Sequence, residues 1–231
     1  MILAYHRINP WYPEDALTVQ PENFERQMKY LLKKFKSVSP ADYISGGLED
    51  FPGSMLVTFD DGYADNLWYA MPVLKKLGIR PVIFLTVNYT GKKEIFKRYK
   101  NAERDRFLDW GEVKEMSSEG VVFGSHSLSH PHLPQMDDKS LRAEVEDSKK
   151  AIEDATGGEA FLFCYPYGDF NERVVAAVEK AGYSGAVVTP GMKRKIRAGR
   201  YTMPRTGVYG HNGFMAFKMK IWKSYLKEKY F

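Results

Sequence analysis

The segment Met55-Leu-Val-Thr-Phe-Asp60-Asp61-Gly62-Tyr63 decides how this chain is read: an apolar run breaks off into two adjacent carboxylates and a glycine. Leu56, Val57 and Phe59 have the make-up of a buried strand, and Gly62 supplies the backbone freedom for a sharp turn at its end. Asp60 and Asp61 are thereby set at a strand's C-terminal tip. In a parallel α/β sheet or barrel that tip belongs to the rim where ligands bind. Neighbouring carboxylates repel, so one of them protonates unless water solvates both or a cation shares the site.

A second tip of the same kind lies downstream. In Val121-Val-Phe-Gly124-Ser-His126-Ser-Leu-Ser-His130-Pro131 a short apolar run ends at Gly124 and is followed by two histidines four residues apart. An extended segment would hold those rings more than ~10 Å apart, so convergence requires the backbone to coil. Pro131 keeps His130 out of helical geometry, which predicts one tight turn. One carboxylate and two imidazoles, with positions left for water, form the donor set of a catalytic site for zinc or a similar divalent ion. A lone His-x-x-x-His is mostly coincidence, and the Asp-Asp-Gly tip ahead of it supplies the weight. The spacing matches a metalloprotease helix, yet Ser127 stands where that motif carries its glutamate base. The base therefore comes from elsewhere, and Asp60 is free for it if Asp61 takes the metal.

Thr58-Phe59-Asp60-Asp61-Gly62-Tyr63, His126-Ser127-Leu128-Ser129-His130 and Tyr165-Pro166-Tyr167-Gly168 resemble, in that order, the successive motifs of the polysaccharide deacetylases, carbohydrate esterase family 4 with its NodB-homology domain. The opening Ile2-Leu-Ala-Tyr-His-Arg7 and the late Met203-Pro-Arg205 are similar to the branch that acts on poly-N-acetylglucosamine or related glycans. The resemblance implies that Asp60 is the general base and that Asp61, His126 and His130 hold the metal. It further implies that Tyr167 lends its backbone N–H to an oxyanion hole. Zinc is the expected ion, with cobalt, nickel or manganese as substitutes, because two nitrogens and one carboxylate select weakly.

The chain departs from the family pattern in two places. Phe163, Cys164 and Tyr165 precede Pro166 where the family often has an arginine that orients the base, and Arg205 is the expected replacement. The leucine-histidine motif that usually carries the general acid is not evident, and His211 stands in roughly its region, although Gly210, Asn212 and Gly213 around it also read as an ordinary loop. His6, at the end of a first strand, is a candidate for substrate contact or for supporting the site. Trp110 and Tyr165 are candidates for walling a sugar subsite, with core packing as the competing reading. His132 has the wrong register for the ligand pair.

The chain of 231 residues is long enough for one α/β barrel, and a single domain over 1–231 is the expected organisation. The net charge of +5 and pI near 9.0 suit acidic polymers or an anionic surface, but no nucleic-acid motif accompanies them. Cys164 is the sole cysteine, which excludes an intrachain disulfide and, in its apolar run, reads as a small buried hydrophobe. No run approaches the ~20 apolar residues of a membrane span. As written the chain lacks a signal peptide and reads as cytoplasmic, or as extracellular or cell-surface if a leader was removed. Oligomeric state is not legible.

Along the chain, apolar runs alternate with helical patterns. A strand at 2–5 and a helix from Pro21 come first, then a short strand and turn over 38–43. A helix over 65–77 follows the aspartates, with Pro72 predicting a kink or an early break; Asp65 and Asn66 either support the metal site or cap that helix. Strands over 81–86, 121–124, 161–165 and 184–188 alternate with helices that start near Asp109, span 137–156 and span 171–181. The basic stretches 90–106 and 193–200 read as exposed loops. Tyr201-Thr-Met-Pro-Arg205 crosses back to the rim, where Arg205 would keep Asp60 ionised. A C-terminal helix from about Asn212 packs on the barrel, with membrane-surface attachment as a second reading. Together these predict parallel β-α units. The resemblance sharpens that to an irregular (β/α)7 TIM-like barrel in one α/β domain.

The function expected is removal of N-acetyl groups from an N-acetylglucosamine-containing glycan. Hydrolysis of another amide and a non-catalytic glycan-binding role are the alternatives. A phosphotransfer receiver pocket built on adjacent aspartates lacks the later acceptor aspartate and lysine.

Overall fold

Each apolar run becomes a strand parallel to its neighbours because the helix that follows it returns the chain to the starting end of the sheet. The computed structural model describes residues 1–46, 53–92, 101, 103–189 and 199–230. In chain order the strands are β1 (Ile2–Tyr5), β2 (Arg7–Ile8), β3 (Thr18–Val19), β4 (Lys36–Ser37), β5 (Ser54–Phe59), β6 (Val82–Leu85), β7 (Val122–Ser125), β8 (Leu162–Tyr165), β9 (Gly185–Val188) and β10 (Thr206–Gly207). Seven of them form a parallel sheet in the order β10-β1-β5-β6-β7-β8-β9, and β4 pairs with the start of β5. Past β9, Met203 bridges in parallel to Val187, while the Val208 N–H donates to the Ala4 carbonyl of β1. The stretch around Arg205 thus lies between the last strand and the first, and the sheet curls into an irregular barrel within one α/β domain.

The helices are α1 (Pro21–Leu32), α2 (Pro40–Gly46), α3 (Met71–Lys76), α4 (Trp110–Ser118), α5 (Asp138–Thr156), α6 (Glu172–Lys180) and α7 (Phe214–Tyr230). Strand periodicity sorts side chains into two layers. Ile2, Leu56, Phe84, Leu162, Cys164 and Val187 face the barrel interior, whereas Leu3, Val57, Ile83, Phe163 and Tyr165 face the helices. By that parity Thr58 and Asp60 share the inner face with Leu56. The interior is tight at Gly124, where an added Cβ would lie 2.7 Å from the Phe84 ring and 2.8 Å from the Leu162 carbonyl.

One expectation is corrected. The short strand and turn over 38–43 is only β4 followed by α2, because Ser39 caps the new helix by accepting from the Asp42 N–H at 3.1 Å and Pro40 fits its first turn. The helix over 65–77 breaks where Pro72 predicts an irregularity: residues Asn66–Ala70 form a π-helical turn, with the Met71 N–H donating to the Asn66 carbonyl, before α3 begins. The wider turn sits immediately ahead of Pro72, which lacks an N–H to donate. Most of the basic residues of 90–106, among them Lys93, Lys97, Arg98 and Lys100, and residues 193–198 of the 193–200 loop lie outside the described residues. Among the described residues no helix is long and apolar enough to cross a membrane.

Candidate active site

At the tip of β5 the backbone turns through two successive left-handed residues, Asp61 at φ 71° and Gly62 at φ 79°. Aspartate tolerates that region better than most residues, and glycine takes it without strain. The turn separates the two carboxylates: Asp60 stays inside the barrel, fully buried, while Asp61 is directed towards the β7 tip.

The His126–His130 segment coils through left-handed Ser127 (φ 67°) and His130 (φ 61°), as a tight turn and not a helix. The turn is tied down by its own serines. Ser125 Oγ accepts from the Ser127 N–H at 3.0 Å, and Ser127 Oγ accepts from the His130 N–H at 3.0 Å. Glu144, buried on α5, accepts from the Leu128 and Ser129 N–H groups at 2.9 Å each. The histidine loop therefore hangs from a carboxylate sixteen residues downstream of Leu128.

These turns bring Asp61 Oδ1 to 3.7 Å from the Nε2 atoms of both His126 and His130, which are 3.2 Å from each other. Ligands 2.0–2.2 Å from a tetrahedral ion stand about 3.3–3.6 Å apart, so the three atoms fit one metal ion with little adjustment. The His126 Nδ1–H donates to the Cys164 carbonyl at 2.7 Å, which leaves the Nε2 lone pair for the ion. Burial, then the neighbouring His126, bring His130 down to about 4, so the His130 ring is neutral near pH 7. A second group, Asp60, His126 and Cys164, also converges. It offers no comparable donor set, because burial pushes the Cys164 thiol well up and Asp60 is engaged elsewhere.

That engagement is with Arg205. Its Nη1 and Nη2 donate to Oδ1 and Oδ2 of Asp60 at 2.7 Å each, and it is itself held by Thr58 Oγ1 at 2.9 Å and the Val188 carbonyl at 3.1 Å. Burial pushes the Asp60 carboxyl up, but the charge and paired hydrogen bonds of Arg205 outweigh it and hold the group well below the usual carboxylate range. Arg205 reaches past Cys164, whose Sγ is 3.0 Å from Nη2. A small residue at 164 leaves room for an arginine arriving from the other side of the barrel.

His6 Nε2 lies 3.9 Å from Asp60 Oδ2, at the end of β1. Its loop is anchored by residues that follow the aspartates. Asp65 accepts from Arg7 Nε at 2.8 Å, the Ile8 N–H at 3.2 Å and Asn9 Nδ2 at 2.7 Å, and Asn66 Nδ2 donates to the His6 carbonyl at 2.9 Å. Asp65 does not cap the helix with its side chain. Arg7, fully buried, also meets Asp105 at 2.8 Å, which ties the segment before α4 to the same loop.

Tyr167 takes left-handed φ 58° and is 53% exposed at the rim. The ring meets His130 edge-on at 4.5 Å and is covered by His132, stacked at 4.3 Å and 14°. His132 is in turn held by Asp169 at 3.0 Å. The histidine excluded from the ligand pair thus backs the residue beside that pair.

Two other expected site residues are not brought here. Tyr165 is fully buried on the outer layer, stacked on Phe170 at 4.7 Å with its hydroxyl donating to the Tyr201 carbonyl, because its neighbour Cys164 has taken the inner face. His211 is exposed, its ring parallel to Tyr209 at 5.8 Å, and it is not part of either acid-histidine group. Trp110 is half-buried at the start of α4 and packs against the core around that helix. The residues missed were Glu144, Arg7 and Ser148, whose hydroxyl meets Ser125 Oγ at 2.7 Å behind the histidine loop. Glu144 and Ser148 lie on the inward stripe of α5 with Leu141, Val145 and Ile152, and polar groups on an apolar stripe are a legible signal of a buried partner.

Residues 50–186 match the polysaccharide deacetylase family model. The chain is 32% identical over 212 residues to the Bacillus subtilis protein YxkH, covering 90% of this chain and 70% of that one. Its structure is similar to that of IcaB from Ammonifex degensii, with a TM-score of 0.72, 25% identity and coverage of 96% of this chain and 95% of the other. It also shares its fold with the Streptococcus pyogenes deacetylase PplD, at a TM-score of 0.79 and 22% identity over 95% and 96% of the two chains.

Proposed function

The chain belongs to the polysaccharide deacetylase family, and on that premise we propose that it removes N-acetyl groups from an N-acetylglucosamine-containing glycan, with zinc as the ion held by Asp61, His126 and His130. One observation carries the reading: three ligand atoms converge on one point while the adjacent carboxylate, Asp60, is kept apart and paired with Arg205. A bound divalent ion lowers the pKa of a water towards ~7 and polarises the acyl carbonyl.

The chain's own residues do the rest. Asp60 accepts the proton of the attacking water as its oxygen bonds to the acetyl carbon, and Arg205 holds that carboxylate ionised and aimed. The carbonyl oxygen becomes an oxyanion, which accepts a hydrogen bond from the Tyr167 backbone N–H. As the carbon–nitrogen bond breaks, the sugar amine needs a proton. We assign that donation to His6, which neighbours Asp60, in place of His211. The Tyr167 ring, backed by His132, offers the face against which a sugar ring stacks. Acetate and the free amine are the products. Peptidoglycan belongs among the glycans to screen, since the relatives include the peptidoglycan-N-acetylmuramic acid deacetylase PdaA of Bacillus subtilis, 24% identical over 175 residues, and a peptidoglycan-N-acetylglucosamine deacetylase of Bacillus cereus, 26% identical over 148.

The test is acetate release from N-acetylglucosamine oligomers, run with metal analysis. Asp60→Asn keeps stoichiometric metal and loses more than ~100-fold in turnover, while His126→Ala loses the metal as well. Turnover retained in Asp60→Asn moves the base elsewhere, and metal retained in His126→Ala removes the ligand assignment.

A further inference from the structure

Among the described residues five large apolar side chains are exposed, and four of them lie on α7: Met215, Met219, Trp222 and Leu226. Their spacing of four, three and four residues collects them within about 60° of the helix circumference. This stripe is not what fastens the helix to the barrel, since Phe217 and Ile221 on another flank are buried in the core. At the same 100° per residue, exposed Lys223 borders one side of the stripe, and half-buried Lys218, whose ammonium lies over the rings of Tyr30 and Phe214 at 5.9 and 5.7 Å, borders the other. A second copy laid on the stripe would set lysines against lysines, and an uncharged apolar partner would leave both without a counter-charge.

We propose that this face of α7 docks on an anionic lipid surface. The four apolar side chains enter the boundary between headgroups and acyl chains, and the flanking lysines meet the headgroup phosphates. The chain's net charge of +5 acts in the same direction at longer range. β10 runs parallel to β1, so it ends on the side of the sheet that carries His6, and α7 follows it in the chain. The inference does not depend on which glycan is processed.

The experiment is co-sedimentation of the full chain with vesicles of phosphatidylcholine, alone or mixed with phosphatidylglycerol. The chain partitions onto the mixed vesicles, weakly onto neutral ones, and less as salt is raised. Lys223→Gln lowers partition about fivefold, and Met219→Glu combined with Leu226→Glu lowers it by more than about tenfold. These positions are exposed, so thermal melting of the variants stays at the wild-type temperature, which separates lost docking from lost fold. Brominated acyl chains quench the tryptophan fluorescence, and Trp222→Phe removes that quenching. Equal binding to neutral and anionic vesicles, no binding, or binding indifferent to the glutamate substitutions overturns the proposal. So does a concentration-dependent dimer broken by Met219→Glu, which assigns the face to a second copy.

Discussion

Replacing Arg205 by methionine keeps most of the side chain's volume and removes the charge that faces Asp60. Asp60 and Arg205 are both buried, and their two hydrogen bonds of 2.7 Å are the carboxylate's main compensation for leaving water. Removing one member of such a pair costs about 3–5 kcal/mol, because an unpaired charge stays inside. The cost depends on pH in a direction that the structure dictates. In the wild type the folded Asp60 is held below its unfolded value of ~3.9. The pair's contribution is therefore complete above about pH 4 and is lost as pH falls through the depressed value. Without Arg205 the burial that opposes ionisation prevails, and the folded value rises above the unfolded one. That variant's share of stability is intact below pH ~4 and drains away as pH rises through the new value. Its deficit against wild type is thus largest at pH 7 and above, shrinks as pH falls towards 4, and shrinks further below pH 4 as the wild type loses its own share. Urea unfolding with a chelator present, so that ion binding does not enter, measures it. The double variant Asp60→Asn with Arg205→Met recovers about 2 kcal/mol or more of the loss, since the buried charge is gone. A deficit that is flat with pH, or a double variant no more stable than the single one, refutes the reasoning. In the acetate assay the acid limb of the Arg205→Met rate profile moves to higher pH.

Three further outcomes follow from the site. His6→Gln lowers kcat by about 10²–10⁴ with little change in KM, whereas His211→Ala stays near wild type; the reverse pattern in steady-state kinetics returns the acid role to His211. Glu144→Gln loosens the turn that presents both histidines and weakens metal affinity by about 10–100-fold in a competitive chelator titration, with unaltered affinity counting against Glu144 as the loop's anchor. Tyr165→Phe costs about 1 kcal/mol in denaturant unfolding through the lost bond to Tyr201 and leaves KM for glycan oligomers unchanged, and a raised KM would return Tyr165 to the substrate.

Local sequence determined a good deal of this protein. Asp60-Asp61-Gly62 at the end of an apolar run, and His126 and His130 ahead of Pro131, are short-range signals. A strand needs a run of apolar residues, a left-handed turn needs glycine or a small polar residue, and proline forbids a helix, so each tip is encoded by its own neighbours. The alternation of such runs with helical patterns carried the parallel barrel for the same reason. Tertiary structure alone decided which side chains meet. Arg205 reaches Asp60 across 145 residues only because the sheet curls and the chain past β9 lies beside β1. His6, rather than His211, neighbours Asp60 because β1 pairs with β5 in a register that sets Tyr5 opposite Phe59. Tyr165 lost its place at the rim to a one-residue parity, since strand neighbours face opposite layers and Cys164 took the inner one. Glu144 grips the histidine loop because α5 crosses β7 at that height. Composition and spacing fix what a residue can do, but a hydrogen bond or an ion pair forms only within a few ångströms, and the folded chain alone sets such distances between residues far apart in sequence.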